Sequence, residues 1–285
     1  MSDTVYPFSA IAGLADLPCY LLQFGEARVV VSGYGAHVLS YQPEPGRELL
    51  WVSPRAVWQQ QTPIRGGVPI CWPWFGVAAS AFQTTAAKLP NHGLARTALW
   101  QLSAKGQDAT ASWLRFSLEL AALPHDPEAV TLHYDIRLSE QLELTLHCDS
   151  PVLQQAALHS YFQVPDSNQS VVEPLPLQWQ DKVAAAERQS SQASLQFSGE
   201  IDRIYPATAA LLTLSSRNDT NSNSLQLSIQ QQGHDASVLW NPGAARSRNV
   251  PDLADDSYQH FVCVETAKLA LTAAPLHLRQ VIKAN

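Results

Sequence analysis

Val130-Thr131-Leu132-His133-Tyr134-Asp135-Ile136-Arg137-Leu138 carries an apolar or aromatic residue at every even position and a polar one between. Period-two alternation puts successive side chains on opposite faces of a half-buried β-strand. The pattern recurs on both sides. Leu114, Phe116, Leu118 and Leu120 alternate with Trp113, Arg115, Ser117 and Glu119, and Leu142, Leu144 and Leu146 with Glu143, Thr145 and His147. Leu225, Leu227 and Ile229 repeat it, as do Leu276, Leu278 and Ile282, where Gln280 interrupts the apolar row. Short strands between polar turns predict an all-β, mostly antiparallel sandwich or barrel. Gly106-Gln107-Asp108 and Gly33-Tyr34-Gly35 read as turns, Ser215 to Ser224 as a longer loop, and Lys182 to Gln192 as a short helix or a loop. With no linker, repeat or long amphipathic helix, residues 1–285 read as one domain, a length that an all-β unit allows.

Composition narrows the function. Hydrophobic residues make up 46% and charged residues 15% of the chain, which supports a substantial core and argues against disorder. A net charge of −7 argues against nucleic acid or an anionic membrane as the main partner, since both need clustered Lys and Arg. A small anionic ligand needs only two or three local arginines. Cys19, Cys71, Cys148 and Cys263 are widely spaced with no C-x-x-C, so they read as buried free thiols of a reducing cytoplasm. The start, Met1 to Tyr6, lacks the pattern of a signal peptide, and no apolar run is long enough to span a bilayer. Nine scattered histidines give no metal-ligand spacing, and the G-x-S-x-G, Walker A and H-E-x-x-H motifs are absent.

One stretch breaks the alternation. Thr62 to Gly76, TPIRGGVPICWPWFG, holds three prolines and three glycines, which exclude a regular central strand. Ile70, Trp72, Trp74 and Phe75 argue equally against a solvated linker, so a rigid, packed loop is expected, of the kind that often carries a site. Arg65 beside Gly66-Gly67, and Arg96 in LPNHGLAR, are candidate anion binders, because guanidinium matches phosphate bidentately. Each alone is more often a structural arginine. His92 by itself reads as a turn histidine, and Asp202 as half of a local ion pair with Arg203.

His159 in AALHSYFQV shares a predicted face with Ala157 and Tyr161. A histidine in an apolar strand is more often structural, yet imidazole is suited to acid–base work near neutrality. Glu265 in HFVCVETA groups with Phe261 and Cys263 against Val262 and Val264. A carboxylate there is costly unless paired, and apolar surroundings would raise its pKa. The alternative is a Glu at a strand end reaching solvent or an arginine.

Seven blocks in order resemble the hexose-6-phosphate mutarotases, or glucose-6-phosphate 1-epimerases, of the wider aldose 1-epimerase family. They are GAHVLSY (Gly35 to Tyr41), PIRGGVPICWPWFG (Pro63 to Gly76), LPNHGLAR (Leu89 to Arg96), HSYF (His159 to Phe162), DRIY (Asp202 to Tyr205), VLWNPG (Val238 to Gly243) and FVCVETA (Phe261 to Ala267). The resemblance implies a galactose-mutarotase-like β-supersandwich that needs no cofactor or metal and acts on a small hexose phosphate. It places His159 on the catalytic acid, Glu265 on the catalytic base, and Arg65, Asn91, Arg96 and Asp202 on substrate-binding positions. His92 has a sugar-contacting counterpart in related mutarotases, and Asn91 stands where Gln is common, with a shorter reach. A cytoplasmic monomer is expected. A non-catalytic sugar-phosphate module and, with Asp202 as a second carboxylate, a glycoside hydrolase stand as alternatives.

Overall fold

The computed structural model describes residues 17–60, 62–83, 88–218 and 223–285. Twenty strands run through these residues: β1 (Cys19–Phe24), β2 (Ala27–Ser32), β3 (His37–Gln42), β4 (Ile70–Cys71), β5 (Gln101–Gln107), β6 (Ser112–Leu120), β7 (Val130–Leu138), β8 (Leu142–Cys148), β9 (Leu153–Leu158), β10 (Tyr161–Gln163), β11 (Ser170–Glu173), β12 (Gln178–Asp181), β13 (Ala186–Gln189), β14 (Leu195–Gln196), β15 (Ile201–Pro206), β16 (Leu211–Asn218), β17 (Asn223–Gln232), β18 (Ala236–Asn241), β19 (Phe261–Ala273) and β20 (Leu276–Ala284). Nine form one sheet in the order β14-β11-β16-β17-β20-β8-β7-β6-β5. Eight form a second, β13-β12-β15-β18-β19-β9-β4, with β10 also paired to β19, and β1-β2-β3 form a third. Their ladders are antiparallel, which establishes the predicted class.

The even-numbered row of the opening stretch makes the core. Val130, Leu132, Tyr134, Ile136 and Leu138 are all buried, and they join Phe116, Leu144, Leu146, Leu227, Ile229, Leu278 and Ile282 in one cluster. Leu158, Phe162, Leu239, Val262 and Val264 of the second sheet enter the same cluster, so the two large sheets close face to face over it. Each such side chain contributes about 1.5–3 kcal/mol on burial. All four cysteines are free and buried.

Three local expectations change. Gly106 and Gln107 belong to β5, and the turn begins at Asp108, whose Oδ1 accepts from Thr110 and Ala111 N–H. Gly106 stays in the strand because the Trp113 ring lies where its Cβ would be. Ser215–Asn218 and Asn223–Ser224 are paired strand rather than loop, with only 219–222 of that stretch outside the described residues. Ser216 fits there because its hydroxyl is bonded by Ser170 and donates to the Asp166 carbonyl. Lys182 to Gln192 contains β13, which folds back on β12. Asp181 Oδ1 accepts from Ala184 N–H and Ala185 takes φ 51° at the turn between them. The segment Met1 to Tyr6 lies outside the described residues. Among the described residues no helix is long and apolar enough to cross a membrane.

Candidate active site

The Thr62–Gly76 stretch is the packed loop that its composition predicts, with Ile64, Val68, Ile70, Cys71, Trp72 and Trp74 all buried. Gly66 and Gly67 take φ 110° and 62°, in the left-handed region that favours glycine. A Cβ on Gly66 would strike the Trp51 carbonyl, and one on Gly67 the Val38 carbonyl. The close approach lets Gly67 N–H reach Trp51 O at 2.7 Å, Tyr161 N–H reach Gly67 O at 2.9 Å and His159 N–H reach Pro69 O at 3.1 Å. The loop holding Arg65 is thereby tied to the backbone that carries His159.

Register brings the candidate pair together. Leu158 stands opposite Thr266 and Tyr161 opposite Cys263, so His159, in the short break between β9 and β10, falls opposite Glu265 of β19. His159 Nε2 lies 3.3 Å from Glu265 Oε1, with side-chain exposures of 9% and 1%. The Glu265 carboxyl therefore does not reach solvent at a strand end. Phe261 and Cys263 share its side of β19, and Val262 and Val264 turn into the inter-sheet core.

Aromatic contacts set the His159 ring. Tyr161 stacks on it at 4.8 Å between centroids and 10° between planes, as their shared strand face predicts. His92 and Trp240 meet it edge-on at 5.6 and 6.1 Å. The Tyr161 hydroxyl accepts from Arg65 Nη1 at 3.0 Å, and Arg65 Nε donates to Asp252 Oδ2 at 3.1 Å. His92 sits at φ 61°, held by its N–H to Gly76 O at 2.7 Å. Gly76 N–H donates to His92 Nδ1 at 3.2 Å, which leaves the ring proton on Nε2.

Arg96 Nη2 donates to the Asn91 carbonyl at 2.6 Å. Asn91 thus meets the set through its backbone, and its side chain is exposed. Asp202 stands opposite Trp240 in the β15–β18 ladder, and Trp240 opposite Cys263 on β19. The local Asp202–Arg203 pair does not form, because neighbours on a strand point to opposite faces. Arg203 instead lies 4.7 Å over the Trp179 ring.

Burial dominates the electrostatics. It lowers the proton affinity of His159, and the His92 ring and the Arg96 and Arg65 charges lower it further. Burial raises Glu265, as does Asp202, against Arg96. His92 is pushed down to about 3, by burial first and then by Arg96, Arg65 and Lys182. Burial also raises Asp202, with Lys182 opposing. Glu265 Oε2, His159 Nδ1 and Arg96 Nε are buried without a hydrogen-bond partner. Buried polar groups are nearly always bonded, so three such atoms in one set stand out.

Sequence reasoning missed Tyr161, Trp240 and Asp252. The first two stand inside blocks already quoted, HSYF and VLWNPG, beside the residues singled out. Asp252 carries no sequence signal, since its role follows only from where Arg65 ends.

The chain belongs to the aldose 1-epimerase family, whose profile matches residues 18–273, and so to the mutarotase class of sugar isomerases. An Escherichia coli K12 protein named "Putative glucose-6-phosphate 1-epimerase" is 33% identical over 99% of this chain and 95% of its own length. A Salmonella typhimurium structure described as a "putative mutarotase" superposes with a TM-score of 0.84 at 33% identity, covering 94% of this chain and 90% of that one. A galactose 1-epimerase from Lactobacillus acidophilus shares the fold at a TM-score of 0.72 and 14% identity, covering 94% of each chain.

Proposed function

We propose that the protein interconverts the α and β anomers of a hexose 6-phosphate, glucose 6-phosphate first among them, by acid–base ring opening and reclosure. The observation that carries this is the 3.3 Å contact between His159 Nε2 and Glu265 Oε1, two buried side chains. Anomer exchange needs a base at the C1 hydroxyl and an acid at the ring oxygen, each typically worth about 10²–10⁴-fold. The pair supplies both with a single proton. Burial favours the uncharged form, in which Glu265 keeps the proton and His159 is neutral. Transfer across the 3.3 Å gap creates the working form, carboxylate and imidazolium.

Glu265 then takes the C1 hydroxyl proton while His159 protonates O5, and the C1–O5 bond breaks to give the aldehyde. This returns the pair to its uncharged form. Rotation about C1–C2 exposes the other carbonyl face. On closure His159 takes the proton back from the hydroxyl at C5 as it attacks, and Glu265 protonates the carbonyl oxygen.

Arg65 and Arg96 are the phosphate ligands in this reading. Asp252 and Tyr161 fix Arg65, whose Nη2 makes no hydrogen bond within the described chain, and the Asn91 carbonyl holds Arg96 through Nη2. Asp202 and His92 Nε2–H are available to sugar hydroxyls, and Asn91 acts by holding Arg96. Every residue comes from one chain, so a monomer suffices, and the buried thiols suit a cytoplasmic setting. A glycosidase would use Asp202 as the second carboxylate across the bond, whereas the group in contact with Glu265 is His159.

Steady-state mutarotation of glucose 6-phosphate and glucose by wild type and Arg96→Ala tests the phosphate assignment. Loss of a charge-assisted bond is expected to raise KM for the phosphate about 10- to 100-fold and to leave KM for glucose nearly unchanged. Equal effects on both sugars would remove the phosphate role.

A further inference from the structure

Gln280 interrupts the apolar row of β20, and the structure shows what it does there. It is fully buried between the two large sheets. Its Oε1 accepts from Ser160 Oγ at 2.5 Å, and its Nε2 donates to Thr266 Oγ1 at 2.8 Å and to Val264 O at 3.4 Å. Ser160 follows His159 in the chain and Thr266 follows Glu265. Consecutive strand residues face opposite sides. While the acid and the base face the site, their neighbours face the core, where one amide from the opposite sheet joins them.

The join falls where main-chain pairing is irregular. His159 N–H turns to Pro69 O and Ser160 N–H back to Leu158 O, with Val264 N–H to Ser160 O at 3.2 Å crossing to β19. The amide is also braced from behind. Gln231 stands opposite Gln280 in the β17–β20 ladder and takes hydrogen bonds from Thr266 and Ser237, and Thr208 bonds Ser237. A leucine would fill the Gln280 position without any polar group to desolvate. A satisfied buried network instead specifies one arrangement of the groups it joins.

We propose that Gln280 is a positioning residue for the His159–Glu265 pair, holding their two strands in the register that sets the acid–base separation. This rests on the acid–base reading of that pair. Gln280 touches neither substrate nor reacting atoms, so its effect belongs in turnover rather than in binding.

The test compares wild type, Gln280→Leu, Ser160→Ala and the double variant by kcat and KM for glucose 6-phosphate anomer exchange, with urea melts alongside. Both single variants are expected to lose about 10-fold or more in kcat with KM within about 2-fold, at a temperature where each is folded. The double variant should be no slower than Gln280→Leu, because both remove one interaction. Folded variants that melt earlier but keep wild-type kcat would show a structural role only and overturn the proposal. If Gln280→Leu does not fold, Ser160→Ala decides by the same criteria. Exchange by wild type with unchanged variants defeats this inference alone, whereas no exchange by wild type defeats the acid–base reading and this inference with it.

Discussion

In the proposed reaction His159 and Glu265 share one proton, and their surroundings bias where it sits. Burial pushes it toward Glu265, and Asp202 strengthens that preference. The rate should therefore hold level around neutrality, falling in acid as the pair gains a second proton and in alkali as it loses its one. Asp202→Asn removes a negative neighbour that raises Glu265, so the alkaline limb of the kcat/KM profile should move to lower pH. A limb that stays in place or moves up would contradict the assignment. Period two grouped Glu265 with Phe261 and Cys263 and His159 with Tyr161, and both groupings hold. That the two residues face each other depends on pairing β9 and β10 with β19 across about a hundred residues, which no local pattern carries. The ordered blocks pointed to the pair, and the ladder gives its geometry.

At the scale of elements, strands with a clean apolar row were legible because one face meets the core. Segments whose pairing rests on hydroxyl and amide residues were not. Ser215–Asn218 and Ala186–Gln189 looked like loop or helix because their partners, not their own periodicity, make them strand. The Thr62–Gly76 loop was legible from its mixture of prolines, glycines and large apolar residues. Its glycines also give a sharp prediction. Gly67→Ala combines φ 62° with a Cβ driven into the Val38 carbonyl, and should cost about 3 kcal/mol or more. Gly25→Ala, at φ 58° with open space around it, should cost only about 1 kcal/mol. Urea unfolding of the two variants checks the ordering, and equal losses would argue against the tight docking of this loop.

For the whole molecule, histidines make the fold sensitive to acid. Burial holds His37 at about 4, even though Nε2 bonds Gly66 O at 2.7 Å, and it contributes to holding His92 at about 3. In the unfolded chain both titrate near 6.5. As pH falls below about 6.5 the unfolded state binds protons that the folded state refuses, so stability falls. His37 alone accounts for roughly 3 kcal/mol by pH 4. Asp135 enters later. Burial would raise it, but the close His147 ring and two hydrogen bonds from Arg115 hold it at about 2, so its contribution is lost only below about pH 4. The urea midpoint should drop clearly between pH 7 and 4.5, and an unchanged midpoint would contradict the buried neutral histidines.

The central claim is that the buried pair exchanges anomers of a hexose 6-phosphate. Two-dimensional exchange NMR on glucose 6-phosphate reads this directly, through cross-peaks between the α and β C1 protons. Wild type should accelerate exchange well above the spontaneous rate, and His159→Ala and Glu265→Ala should each lose about 10²- to 10⁴-fold while remaining folded. Ligand-induced shifts in wild type without faster exchange, or near-wild-type rates in either variant, would contradict it.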